Sequence, residues 1–205
     1  MPRQPLIRSE HHPYHITQRS NNKEWFYLPM DDLWEISQAA LKKAQDKTNV
    51  SIHAFVLMQN HYHLLLTTPR ANIDLFQWIF ANAFTRAIQA KTQRINHIFG
   101  ARYKWNLIND QRYFYQVYKY IYLNPVRAGL CKSVIEYRFS TLNSLLKFEI
   151  TDPVIAQHGR ARVISWIDSS FSAEQVGCLK RAFVKSKFQM TTDRRERRYI
   201  TFDDP

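Results

Sequence analysis

Between Thr48 and Pro69 the chain carries no Asp, Glu, Lys or Arg. A run of that kind has to be buried, either in lipid or in a protein core. Its centre argues against lipid, because Gln59, Asn60, His61 and His63 would enter a membrane with no partner for their polar groups. Two strands are the better solution. Residues 51–58 and 61–68 are rich in β-branched and aliphatic side chains. Gln59-Asn60 between them makes a tight turn, although it lacks the glycine of the strongest hairpin signals.

The segments around this hairpin follow a regular order. Residues 14–19 (YHITQR) alternate polar and apolar side chains, as a short strand does. Asp31-Asp32 predicts a helix to about Lys47, with Leu33, Ile36, Ala40, Leu41 and Ala44 on one stripe. Its carboxylates sit at the end that the helix dipole favours. A second helix is predicted from Asp74 to about Lys91 with Leu75, Trp78, Ile79, Ala83 and Phe84 inward, then a strand at 105–108. Asp110 opens a third helix, which Pro125 should end near Asn124. The order β-α-β-β-α-β-α predicts an α+β chain. Its first six elements match a ferredoxin-like (RRM-like) antiparallel sheet with helices on one face, leaving the other face free for a site. Further on, Ser172 and Gln175 form a capping box for a helix containing Val176, Leu179, Phe183 and Val184.

Composition narrows the function classes. The 205 residues hold 29 Lys and Arg against 17 Asp and Glu, leaving +12 with histidine neutral. That excess points to an anionic partner, nucleic acid or an acidic membrane surface. At 45% hydrophobic the body can bury a core, which excludes general disorder. None of the 4 glycines has the spacing of a phosphate-binding loop or a dinucleotide fingerprint. Cys131 and Cys178 form no CxxC pair, which suits a reducing compartment, and residues 1–5 lead into no apolar signal segment. The expectation is a cytoplasmic, nucleoid-associated protein with no membrane partner.

Three groups of residues could carry chemistry. If His61 and His63 lie on a strand, both imidazoles point to one face, where they could bind a divalent metal and leave coordination positions open. They could equally be two surface histidines at a sheet edge. In the segment 113–124 (YFYQVYKYIYLN), Tyr120 and Asn124 share a helical face, so a phenol nucleophile and an amide ligand could converge. The plainer reading is an aromatic helix packed on the sheet with its hydroxyls bonded at the rim. The third group is basic: Arg19, Lys23, Arg86, Arg94, Arg102, Lys104 and Arg127, with Arg194, Arg195, Arg197 and Arg198 near the end. Aromatics interleave with several of these, the mix that stacks bases and pairs phosphates.

Four blocks carry a resemblance. Residues 58–66 (MQNHYHLLL) resemble the MPNHxHLLL signature of the single-tyrosine HUH transposases, and 120–130 (YIYLNPVRAGL) resemble the YIxxNPVRAGL segment of that family. YHITQR followed by Asn21-Asn22 matches its opening strand, and 99–104 (FGARYK) its FxxRYK element. The blocks fall in the family's order over residues 1–146, and the YxxxN form resembles the REP-associated tyrosine transposases in particular. The resemblance implies a catalytic domain over 1–146 and a basic, mainly helical extension over 147–205.

It also implies a chemistry. His61, His63 and Asn124 would hold Mg²⁺ or Mn²⁺, and Tyr120 would attack single-stranded DNA, leaving a 5′-phosphotyrosine and a free 3′-hydroxyl. The implied partner is single-stranded hairpin DNA, and the implied state a monomer or a homodimer. Gln59 stands where the family usually has proline. Ser20 stands where it has glycine, which would make a positive φ there less comfortable. Two other classes fit the same residues: a catalytically silent nucleic-acid-binding module, and a metallo-hydrolase that uses water as nucleophile.

Overall fold

The computed structural model describes residues 5–190 and 200–205. Four strands, β1 (Tyr14–Arg19), β2 (Ser51–Leu57), β3 (His61–Thr67) and β4 (Lys104–Leu107), form one antiparallel sheet in the order β2-β3-β1-β4. This is the ferredoxin-like α+β arrangement, with the uncharged hairpin β2–β3 at one side. Cross-strand pairs set the faces. Thr17 lies opposite His63, Arg19 opposite His61, and His15 opposite Asn106. By the period of two, these side chains share one face, and Tyr14, Ile16, Tyr62, Leu64 and Leu66 share the other.

Helices α1 (Met30–Thr48) and α2 (Ile73–Thr92) pack on the second of those faces. Asp31 and Asp32 lie in the first turn of α1 and Lys47 in its last, as the helix dipole favours. In α2 the buried residues are Ile73, Phe76, Gln77, Ile79, Phe80, Phe84 and Ile88. Leu75 and Trp78 were expected to point inward, but they are 46% and 65% exposed. The cause is a stack of phenylalanines, in which Phe80 lies between Phe76 and Phe84. With that row inward, Gln77 comes in too, and its Oε1 accepts from the Tyr62 hydroxyl at 2.8 Å.

The face expected to be free is covered. Helix α3 (Gln111–Arg127) lies over it, capped by Asp110, whose carboxylate accepts from the N–H groups of Arg112 and Tyr113. Pro125 does not end this helix, which continues to Arg127. Proline leaves the Ile121 carbonyl without its helical donor. The Asn124 amide nitrogen compensates, donating to the Tyr120 carbonyl at 2.7 Å and to that of Ile121 at 3.4 Å. Gly129, at φ 72°, then turns the chain.

Short helices α4 (Pro153–His158), α5 (Arg160–Asp168) and α6 (Ala173–Ala182) join α3 in a second hydrophobic cluster. The capping box at Ser172 and Gln175 is present at the start of α6. After α6 the chain runs parallel to β4. The Leu107 N–H donates to the Ser186 carbonyl at 2.7 Å, and the Phe188 N–H to the Leu107 carbonyl at 2.8 Å. Asn106 Nδ2 donates to the carbonyls of Phe183, at 3.0 Å, and Lys185. An otherwise open edge strand is thereby satisfied. No helix among the described residues is long and apolar enough to cross a membrane.

Candidate active site

Strand β3 brings His61 and His63 to one face, their ring centroids 5.1 Å apart. Helix α3 lays Tyr120 over that face, 6.0 Å from His63 between ring centroids. Asn124 follows one turn later on the same side of α3. Its amide nitrogen serves the helix backbone, so Oδ1 is the atom left to act as a ligand. The HxH pair and Tyr120, singled out separately in the sequence, therefore meet across the layer between sheet and helix.

The imidazoles are held from behind. His61 Nδ1 hydrogen-bonds Asn60 Oδ1 at 2.7 Å, while Asn60 Nδ2 donates to the Lys23 carbonyl at 2.8 Å. The amide is thus oriented with its oxygen toward the ring, which puts the proton on His61 Nδ1 and leaves Nε2 with its lone pair. His63 Nδ1 is 2.9 Å from Nε2 of His15, and the two rings are nearly parallel, with 7° between their planes. Burial lowers the His61 pKa to about 4, with a further push from Arg19. It lowers His63 well below the usual histidine range, and His15, His61, Arg19 and Arg127 push the same way. Both rings are neutral at physiological pH, the form that ligates a metal.

These donors fit a divalent ion: two neutral imidazoles, each with Nδ1 held by a hydrogen bond, plus an amide oxygen. They do not make the His/Cys/Asp/Glu cluster of a closed structural metal centre, and no such cluster occurs among the described residues. The charged groups felt at His63, Arg19 and Arg127, are positive, which suits a site that receives an anion.

The basic residues divide. Arg19 and Arg127 belong to the site, and the Arg127 guanidinium lies 5.3 Å from the centre of the Tyr120 ring. Lys23 contributes through its carbonyl and holds φ 61° in the loop after β1. Ser20 sits at φ −57°, so the strain expected there is absent; the positive φ falls on Asn22 and Lys23. Arg102 and Lys104 line a separate cleft of about 470 Å³ with Tyr103, Trp105, Phe183 and Lys185. Arg194, Arg195, Arg197 and Arg198 lie outside the described residues.

Three site residues were not singled out from the sequence: His15, Asn106 and Phe183. His15 lies four residues before Arg19 in an alternating strand, so its face was legible. Phe183 packs against both His15 and Tyr120, each at 4.7 Å between ring centroids. It arrives from the far end of the chain, and only the tertiary fold reveals it.

No protein-family model matches the chain. A REP-associated tyrosine transposase of Escherichia coli (strain K12) is 27% identical over 112 residues, which make up 54% of this chain and 65% of that protein. The match thus spans a little under two thirds of the relative. Among solved structures, a REP-associated tyrosine transposase bound to a REP hairpin superposes with a TM-score of 0.61 at 22% identity, covering 69% of this chain and 82% of the other. That likeness is one of fold. In sequence over about half its length, and in fold, this chain is similar to REP-associated tyrosine transposases.

Proposed function

We propose that this protein is a metal-dependent, single-strand-specific DNA endonuclease and strand transferase acting on hairpin-bearing DNA through Tyr120. The observation that carries the reading is the meeting of Tyr120 with His63, and of His63 with His61, on one electropositive sheet face. The names of the two relatives, a transposase and a hairpin-bound transposase, support it.

His61 and His63 through Nε2, and Asn124 through Oδ1, would hold Mg²⁺ or Mn²⁺, which when bound polarises the scissile phosphate as a Lewis acid. The rest of the reaction belongs to the chain. Arg19 and Arg127 draw the phosphate to the site. Tyr120 Oη attacks phosphorus, the bond from phosphorus to the 3′-oxygen breaks, and the electron pair leaves with that oxygen. The phenol gives up its proton and the 3′-oxygen gains one. The products are a 5′-phosphotyrosine and a 3′-hydroxyl. The ester keeps the energy of the broken bond, so a 3′-hydroxyl can reverse the step and join strands without a nucleotide cofactor. The imidazole and amide donors suit Mn²⁺ better than the harder Mg²⁺.

The test uses 5′- and 3′-labelled single strands carrying imperfect hairpins, incubated with Mn²⁺ and run on a denaturing protein gel. A covalent adduct that needs metal and is lost in Tyr120→Phe supports the proposal. Cleavage with no adduct would transfer the reaction to a metal-bound water, and salt-sensitive binding with neither would leave a silent binding module.

A further inference from the structure

We infer that the outer face of α2 carries a base-binding cleft beside Trp78, which takes one nucleotide of single-stranded DNA on the side of the sheet remote from Tyr120. The inference adds a second contact for the DNA of the proposed function, and it rests on that reading for the class of its ligand.

Leu75, Trp78 and Asn82 form a ridge of α2 that lines two clefts, of about 630 and 570 Å³. Both volumes are in the range of ligand sites. The smaller cleft holds Lys43 and Lys47 from α1 and Arg86 from α2. None of these three pairs with a carboxylate among the described residues. Lys42 and Lys91, on the same two helices, are paired with Asp46 and Asp32. The cations beside Trp78 are thus left for an anion from outside.

The larger cleft adds hydrogen-bonding groups, Gln18 and Gln77, and a further cation, Arg102. Gln77 is 1% exposed, yet its Nε2 has no hydrogen-bond partner. Its Oε1 shares the Tyr62 hydroxyl with Gln18 Oε1, at 2.8 and 3.0 Å. One hydroxyl proton cannot serve two acceptors, so the Gln77 amide is short of partners whichever way it is turned. Gln18 is settled, with Nε2 donating to the Ala101 carbonyl at 2.9 Å. A buried amide left short is costly, and a ligand with a polar edge removes that cost. The carboxylate in this wall, Asp74, is neutralised by Arg8 at 2.5 Å. A nucleotide meets all these demands together: a flat face for the Trp78 ring, an edge for the Gln77 amide and a phosphate for the cations. An acidic peptide offers the charge without the face. Arg102 and Tyr103 also line the cleft that reaches Phe183, which packs on Tyr120. The basic, aromatic surface is therefore continuous around β4 from Tyr120 to Trp78.

The experiment is fluorescence anisotropy with a labelled single-stranded thymidine dodecamer in the presence of a metal chelator, so that cleavage plays no part. Thymine presents carbonyl acceptors to an amide N–H. Trp78→Ala should weaken binding at least about five-fold, the lower end of what losing one stacked base costs. Trp78→Phe keeps a ring and should recover most of the affinity. An abasic strand with the same number of phosphates should bind wild type and Trp78→Ala alike. Trp78 is on the surface, and circular dichroism checks that each variant is folded. Equal binding of the thymidine strand by wild type and Trp78→Ala overturns the inference, and so does an equal loss with the abasic strand. Displacement by a glutamate dodecapeptide as effective as by unlabelled DNA would also overturn it and assign this face to acidic proteins. The adduct at Tyr120, read separately, decides the proposed function. An adduct with Trp78-independent binding keeps that function and ends the cleft, and Trp78-dependent binding with no adduct does the reverse.

Discussion

At the scale of single residues, the role proposed for Tyr120 separates binding from chemistry. The Tyr120→Phe variant keeps the ring that His63, Phe183 and Arg127 pack against and removes only the oxygen. Adduct formation should fall below detection while the affinity for hairpin DNA changes less than about two-fold, checked by gel and by fluorescence anisotropy. Cleavage retained in this variant would move the nucleophile elsewhere. Neither Tyr118 nor Tyr122 is a ready replacement, because burial raises both phenols above the ordinary tyrosine range and both are hydrogen-bonded in the core. Asn124→Ala should do two kinds of damage. It removes a candidate metal ligand and also the donor serving the carbonyls around Pro125. Weaker Mn²⁺ binding should therefore come with a drop of about 1 kcal/mol in urea stability, and weaker binding at unchanged stability would leave only the ligand role.

Among the elements, those with a period of their own were readable and those defined by long-range contact were not. The uncharged hairpin, the alternating strand before it and the first two helices lie within a residue or two of where periodicity and capping put them, and the third starts where its cap puts it. Two details went another way for local reasons. Pro125 marks a helix end in general, but here an asparagine side chain takes over the missing donor's work. Trp78 looks like a core residue by type, yet the phenylalanine row of α2 claims the inward face. The roof over the site had no such signal, because Asn106 meets Phe183 across 77 positions that share no pattern. The same was true of the candidate site. HxH and YxxxN were visible as separate motifs, whereas the histidine behind them needed the register of β1 against β3 and β4. A prediction at this scale concerns α3, which carries both Tyr120 and Asn124. Asp110→Ala removes its N-cap, which accepts from two backbone N–H groups. The cost should be about 1 kcal/mol in a urea titration, and an unchanged midpoint would show the cap to be redundant.

For the molecule as a whole, two couplings to solvent follow. Burial lowers the pKa of His15, His53, His61 and His63. The unfolded chain therefore binds more protons than the native one between about 6.5 and 4, and stability must fall as pH drops through that window. Urea midpoints of the metal-free protein at pH 7.5, 5.5 and 4.5 should decline in that order; a flat series would show that these rings are accessible to protons in the native state. The second coupling is to salt. With +12 net charge, DNA affinity should fall steeply with ionic strength. Neutralising Arg194, Arg195, Arg197 and Arg198 should reduce the log–log slope by about 0.7 to 0.9 for each phosphate that is no longer paired. An unchanged slope would mean that these arginines do not touch the DNA.

The strip from Phe183 to Phe188 along β4 has a consequence for the order of events during synthesis. The sheet, α1, α2 and Tyr120 itself are all encoded before residue 128. The aromatic lid on the tyrosine and the carbonyls that orient Asn106 come more than fifty residues later. A ribosome-bound chain can therefore have its hairpin and histidines folded while Tyr120 is still uncovered. Such an intermediate holds the sequence motifs without the finished site, which Phe183 completes only once it has left the exit tunnel.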